Sequence, residues 1–266
     1  MFDPTLAHLL HPAPTASIAV DQLTYPTADG PLDLAIYRPP GVARPPVVVI
    51  VNGYPDPGMA AVFGRPLAAW RSYQDWARLL ASAGIATVLY GNRTPADLEA
   101  LLAHLRTAGA DLGVDGERIG LFAASGHAAL ALAAVARAPV FAAALLYGYT
   151  LDLDGDTAVA DAARQFHFAA PPVALAALPP TPILLVRAGA DALPGLLPSL
   201  DRFAAAAVAR GLPVEVHDVP DAPHGLDVTD DRPATRDAIA AVVRFLVERG
   251  SPVSYTHLRA HETVLD

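Results

Sequence analysis

From about residue 45 onward the chain alternates short apolar runs with stretches of helical period, and this alternation limits the fold more than any other feature. Pro45 and Pro46 precede Val47-Val48-Val49-Ile50-Val51, a continuous β-branched run. Such a run suits a strand covered on both faces, because no side of it is left for water. Ser72 is placed to cap a helix carrying Tyr73, Trp76 and Leu80, which Gly84 ends, and Ile85 to Tyr90 reads as the next strand. Thr94-Pro95-Ala96-Asp97 opens a helix with a cap, a proline at the first position and an acid in the first turn. Its apolar face is Leu98, Leu101, Leu102 and Leu105. Repeated strand–helix units of this kind build a parallel sheet with helices on both faces.

The pattern continues to the C-terminal region. Arg118 to Ala123, Phe141 to Tyr147, Ile183 to Val186 and Val214 to Val219 read as strands. Gly126 to Arg137 reads as a helix of small residues. Leu196, Leu200, Phe203 and Ala207 mark a further helical face, and Ile239, Val242, Val243 and Leu246 mark the last, closed by Gly250. Ahead of the alternating region, Leu32, Leu34 and Ile36 alternate as a half-exposed strand, with residues 16–25 as an antiparallel partner across the Asp29-Gly30 turn. The expected class is therefore α/β, a mostly parallel mixed sheet of about eight strands. The Pro-rich segment from Tyr149 to Pro182 has room for one or two short helices and is too short for a large cap domain. Residues 1–253 are read as one domain. Residues 254–266, SYTHLRAHETVLD, break the helical period and resemble translated adapter read-through at the ends of metagenomic reading frames. This tail is expected to be non-native. His257 and His261, spaced like a metal pair, lie in it without an acid between them.

Composition removes several function classes. Hydrophobic residues make up 53 % of the 266 and charged residues 17 %, which supports a large core. A net charge of −9 argues against nucleic acid and anionic membrane as partners, since both require clustered Lys or Arg. The absence of cysteine excludes disulfides, thiolate metal sites and a cysteine nucleophile. Met1 to Pro14 has no basic start and only a short apolar stretch, so no secretory signal is expected; a cysteine-free chain folds in either redox setting, and a cytoplasmic location is the expectation. Apolar runs stop well short of a membrane span. No GxGxxG or P-loop string occurs, which leaves nucleotide binding without support.

The segment most informative about chemistry is Arg118-Ile119-Gly120-Leu121-Phe122-Ala123-Ala124-Ser125-Gly126-His127-Ala128-Ala129. A strand ends in a tight turn holding Ser125, and a helix of small residues follows. That context lifts a hydroxyl off the sheet and aims a helix N-terminus at developing negative charge. Here the chain resembles the α/β-hydrolase superfamily, most closely its dienelactone-hydrolase-like esterases, over roughly residues 16–250. The family elbow is G-x-S-x-G. Ala123 stands at the first glycine and His127 at the second, and a serine stands where dienelactone hydrolases proper carry cysteine.

The resemblance implies a Ser, acid, His order along the chain, each on a loop after a strand. His224, in Asp221-Ala222-Pro223-His224-Gly225-Leu226-Asp227, follows the strand Val214 to Val219 and matches the family's His loop. Asp191 is the acid in the loop after Ile183 to Val186. Ser125 would be the nucleophile, His224 the base, and Asp191 the acid that orients the imidazole. By the same resemblance Gly126 supplies one oxyanion amide. The other is expected from the loop Asn52-Gly53-Tyr54-Pro55, with the Tyr54 amide as candidate donor and Gly53 letting the backbone approach substrate. His127 is placed beside the acyl pocket or as a space-filler, and His167 on the cleft wall. Asp152-Leu153-Asp154-Gly155-Asp156 lacks the calcium-loop pattern and reads as an acidic turn. The implied function is a serine carboxylesterase for short-chain or small aromatic esters. It needs no metal or cofactor, its partner is a small-molecule ester, and it works as a monomer or homodimer. Amide or lactone hydrolysis, acyl transfer on the same triad, and a binding protein with a degraded site remain as alternatives.

Overall fold

The structure, a computed structural model, describes residues 3–11 and 17–251. The tail 254–266, with His257 and His261, lies outside the described residues. Eight strands form one sheet: β1 (Ala19–Tyr25), β2 (Leu32–Arg38), β3 (Pro46–Ile50), β4 (Ala86–Tyr90), β5 (Asp115–Ala124), β6 (Ala143–Leu146), β7 (Ile183–Ala188) and β8 (Val214–Val219). Their spatial order is β1-β2-β4-β3-β5-β6-β7-β8. The β1–β2 and β2–β4 ladders are antiparallel and the remaining ladders are parallel. The hairpin joining β1 to β2 turns at Gly30, whose φ of 95° a side chain would resist.

The helices are α1 (Asp56–Phe63), α2 (Arg71–Ser82), α3 (Pro95–Ala108), α4 (His127–Arg137), α5 (Ala158–Phe166), α6 (Leu196–Ala209), α7 (Leu226–Thr229) and α8 (Pro233–Gly250). Residues of α3, α4 and α6 share one apolar cluster with Val47, Val49 and Val51, while residues of α2 and α8 share another with Val48 and Ile50. Successive side chains of β3 therefore point into opposite cores, which is the physical reason its sequence shows no polar alternation. The same division holds for Leu121 and Phe122 on β5 and for Leu184 and Leu185 on β7. Each fully buried aliphatic side chain stabilises the sheet by about 1.5–3 kcal/mol. Among the described residues no helix is long and apolar enough to cross a membrane.

Several boundaries differ from the sequence reading. Ser72 does not cap α2. It is the second residue of the helix and is buried, because a single 3₁₀ turn at Leu67–Ala69 brings the chain in one step earlier. The Trp70 carbonyl then takes the first helical hydrogen bond, from the Gln74 amide at 3.1 Å. Thr94 and Asp97 do open α3 as expected, with the Asp97 carboxylate accepting from the Arg93 and Thr94 amides at 2.8 Å each. Gly126 is the cap of α4 rather than its first residue. The strand expected over 141–147 keeps only Ala143–Leu146, since Tyr147 turns to a φ of 35° and leaves the extended conformation. α1 was not anticipated: Pro55, Pro57 and Gly58 look like loop residues, although proline and Asp56 in a first turn are also start signals. The segment 150–182 holds α5 and one 3₁₀ turn, Leu175–Ala177. The Asp152 and Asp156 carboxylates bond amides at the start of α5, so the acidic turn serves as a helix cap.

Candidate active site

Ser125 sits where β5 gives way to α4, with a φ of 56°. This left-handed conformation costs an L-residue about 1–2 kcal/mol, and its neighbours hold it there. The Ser125 amide donates to the Leu146 carbonyl at 2.9 Å, and the Ser125 carbonyl accepts from Ala128 at 3.2 Å and Tyr149 at 3.3 Å. The elbow is thus fastened to the exit of β6 on one side and to α4 on the other. Gly148 makes this close approach possible, because a Cβ there would lie 2.3 Å from the Ala128 Cβ.

His224 stands in the loop after β8 and Asp191 in the loop after β7, and the structure brings both to Ser125. His224 Nε2 is 2.9 Å from Ser125 Oγ, and His224 Nδ1 is 2.6 Å from Asp191 Oδ2. The Asp191 side chain has no exposed surface. Its second oxygen, Oδ1, accepts the Leu193 amide at 2.9 Å, which fixes the carboxylate plane. Because a carboxylate can only accept, Nδ1 carries the imidazole proton and Nε2 is left to accept from the serine hydroxyl. The Tyr147 ring packs edge-on against the imidazole, with centroids 4.9 Å apart. The hydrogen-bonded chain Asp191–His224–Ser125 has the connectivity needed to activate an alcohol.

The loop between β3 and α1 is held from several directions. Asn52 Nδ2 donates to Asp56 at 2.9 Å, and Asn92 Nδ2 donates to the Asn52 and Tyr54 carbonyls at 2.9 and 3.0 Å. The Tyr54 amide, expected as a free oxyanion donor, instead donates to Asn52 Oδ1 at 3.1 Å. An asparagine two residues back makes this side-chain turn readily. The Gly53 amide is also taken, by His127 Nδ1 at 2.7 Å. Gly53 does not line the cavity. It backs the wall, where a Cβ would stand 3.0 Å from the His127 Cα. The Gly126 amide has no acceptor among the described residues. A Cβ at Gly126 would meet both the Tyr54 hydroxyl and the Phe168 ring at 2.7 Å, so a side chain there would push those rings aside.

His127 is 3 % exposed, and burial pushes its imidazole down to about 3, so it is neutral at ordinary pH. Its ring lies edge-on between Tyr54 and Tyr73, with centroids at 5.0 and 5.8 Å. Tyr54 is also buried enough for its phenol to be pushed up to about 12, so it too stays neutral.

Ser125, His127 and His224 open on a cavity of about 580 Å³. Phe63, Trp70, Tyr73, Trp76, Phe122 and Tyr147 supply aromatic wall, and Gln165, Phe166 and His167 come from the segment after β6. His167 thus reaches the cleft, as the sequence suggested. The volume falls in the range of about 300–1,000 Å³ typical of small-molecule pockets.

Asp227 is a residue to which the sequence reading gave no role. It is 3 % exposed, on α7, and its carboxylate accepts from Tyr147 Oη at 2.6 Å and from Trp76 Nε1 at 2.7 Å. Burial pushes its pKa up, against the opposing pull of those two hydrogen bonds. It ties α2 and the Tyr147 ring to the loop bearing His224. Its place three residues after His224 was the available signal. Asp227→Leu is expected to lower stability by about 2–5 kcal/mol, since two buried donors lose their acceptor at about 1–3 kcal/mol each. Asp227→Asn, which keeps one acceptor oxygen, is expected to cost less. Urea unfolding of both variants checks this, and equal midpoints for wild type and Asp227→Leu would contradict it.

Among the described residues no cluster of three or more His, Cys, Asp or Glu side chains could hold a metal ion. Comparison with known proteins adds the fold. No protein-family model and no curated protein sequence matches this chain. Solved structures do match. A bacterial heroin esterase superposes with a TM-score of 0.70 at 17 % identity, covering 90 % of this chain and 87 % of that one. Carboxyl esterase 2 from the mycorrhizal fungus Tuber melanosporum gives 0.67 at 16 % identity, with 91 % of both chains covered. The chain has the α/β-hydrolase fold. A hyperthermophilic esterase from the archaeon Pyrobaculum calidifontis gives 0.65 at 20 % identity, covering 86 % of this chain and 85 % of that one. Within an α/β-hydrolase fold, the serine elbow after β5 and the histidine loop after β8 lie at the ends of parallel strands, where the sheet's loops build a cleft.

Proposed function

We propose that this protein is a serine carboxylesterase that hydrolyses short-chain or small aromatic esters through an acyl-enzyme. The carrying observation is the continuous Asp191–His224–Ser125 hydrogen-bonded chain opening on an apolar cavity. The resemblance of the elbow and the PHGLD loop to dienelactone-hydrolase-like esterases supports the reading, as do the esterase names of the structural neighbours.

In the proposed reaction, Ser125 Oγ attacks the ester carbonyl while His224 Nε2 takes the hydroxyl proton. Asp191 holds the Nδ1 proton and stabilises the imidazolium. The Gly126 amide, which has no acceptor among the described residues, meets the oxyanion at the N-terminus of α4. His224 then protonates the leaving alcohol and the acyl group remains on Ser125. Water, deprotonated by His224, attacks the acyl-enzyme carbonyl; the bond to Ser125 Oγ then breaks, His224 returns the proton to Oγ, and the carboxylic acid leaves. His224 carries the proton in both half-reactions, and a small-molecule ester and water are the reactants required. The aromatic walls offer flat apolar contact to a compact acyl or aryl group.

Initial rates on p-nitrophenyl acetate, butyrate and palmitate test the substrate class. The butyrate ester is expected to exceed the palmitate ester by about tenfold or more in kcat/KM, the equivalent of about 1.4 kcal/mol in transition-state binding. Preference for palmitate would overturn the short-chain assignment. Product analysis with a competing alcohol separates hydrolysis from acyl transfer.

A further inference from the structure

We infer that His127, through its Nε2–H, supplies the second donor to the oxyanion formed at Ser125, in place of a backbone amide from the loop after β3. This rests on the esterase reading. An acyl-transfer site of this type needs at least two donors converging on the developing oxyanion. The Gly126 amide is available, but both amides of the opposite loop are committed: Gly53 to His127 Nδ1 at 2.7 Å and Tyr54 to Asn52 Oδ1 at 3.1 Å.

The bond from Gly53 also decides the state of the imidazole. Since Nδ1 accepts, the ring proton sits on Nε2. Among the described residues the only hydrogen bond of the ring is the one at Nδ1, on a side chain only 3 % exposed that lines the cavity with Ser125. Nε2 is not sealed in the core, so a ligand oxygen that enters the cavity can accept its hydrogen. His127 is also the first residue of α4, two residues after Ser125, so its ring rides on the element that forms the elbow. The imidazole thus takes the hydrogen bond of the Gly53 amide at one nitrogen and presents a new one to the cavity at the other. A cation there would bind the oxyanion more tightly but would also protonate or trap it. A neutral ring polarises without exchanging charge, and no step requires it to gain or lose a proton.

The test compares His127→Phe, which keeps an aromatic ring and removes both nitrogens, with His127→Gln, whose amide can accept from Gly53 and donate to the cavity. On p-nitrophenyl butyrate, His127→Phe is expected to lose about 10²–10³-fold in kcat with little change in KM, and His127→Gln to recover much of that loss. Affinity for a trifluoromethyl ketone, which forms a tetrahedral oxyanion on the serine, should fall in parallel with kcat/KM in His127→Phe, while inhibition by the product butyrate stays unchanged. A structural role would weaken both. His127→Phe retaining wild-type kcat would overturn the inference. A larger loss in Tyr54→Phe than in His127→Phe would move the donor to the phenol and overturn it as well. Should His127→Phe fail to fold, ¹⁵N-histidine-labelled wild type answers the question: the His127 Nε2–H proton should move downfield on forming the ketone adduct, and an unmoved resonance contradicts the assignment. Turnover by wild type with an unaffected His127→Phe removes this inference alone, whereas a wild type without Ser125-dependent turnover removes the esterase reading and this inference with it.

Discussion

Ser125→Ala is expected to lower kcat on p-nitrophenyl butyrate by about 10⁶-fold, the scale seen when a hydrolase loses its nucleophile. The substitution deletes one oxygen and leaves the elbow in place. Alanine at a φ of 56° bears the same strain as serine, so the turn is neither relaxed nor further stressed. The bonds that hold the turn, from the Ser125 amide to Leu146 and from Ala128 and Tyr149 to the Ser125 carbonyl, are all made by the backbone and survive. Stability should therefore stay within about 0.5 kcal/mol of wild type by urea unfolding. A large loss of rate with intact stability isolates the hydroxyl as the missing part. A loss of less than about tenfold would place the chemistry elsewhere.

The second large effect is expected at Asp191. Asp191→Asn should lower kcat by about 10⁴-fold with KM nearly unchanged. The reason is specific to the bonds here. Asp191 Oδ1 accepts the Leu193 amide at 2.9 Å, so the asparagine must keep its carbonyl oxygen on that side. Its NH₂ then faces His224 Nδ1, where Oδ2 stood at 2.6 Å. An amide donor at Nδ1 forces the imidazole proton onto Nε2, and an Nε2–H cannot take the proton of Ser125. Asp191→Ala leaves the imidazole free to choose its tautomer and is expected to lose less. If the asparagine variant proves more active than the alanine variant, the tautomer argument fails.

Much of this arrangement could be read from residues alone, for identifiable reasons. The continuous run at Val47 to Val51 announced a strand with a core on each side, and the two apolar clusters divide its side chains in that way. The elbow was legible because a strand, a short turn and a small-residue helix leave few other options for Ser125. Asp191 and His224 follow from the resemblance, whose Ser, acid, His order puts each of them in the loop after a strand. Contacts between loops distant in sequence were not legible. Nothing in Asn52-Gly53-Tyr54 announces that both amides are already engaged, since one acceptor is the side chain of His127 on α4. The role of Asp227 is not visible in its own segment, because its partners, Trp76 and Tyr147, come from α2 and the exit of β6. The sequence of α1 hides its helix, because two prolines and a glycine outweigh helical period over so short a segment.

The most direct test of the central claim is covalent. Folded wild-type protein is treated with a fluorophosphonate, digested, and the peptide spanning Ser125 is weighed. Stoichiometric labelling at Ser125 is predicted, abolished in Ser125→Ala and strongly slowed in Asp191→Asn. Folded protein that stays unlabelled at Ser125, or labels at another residue, would contradict the proposal that Asp191, His224 and Ser125 form a working hydrolase.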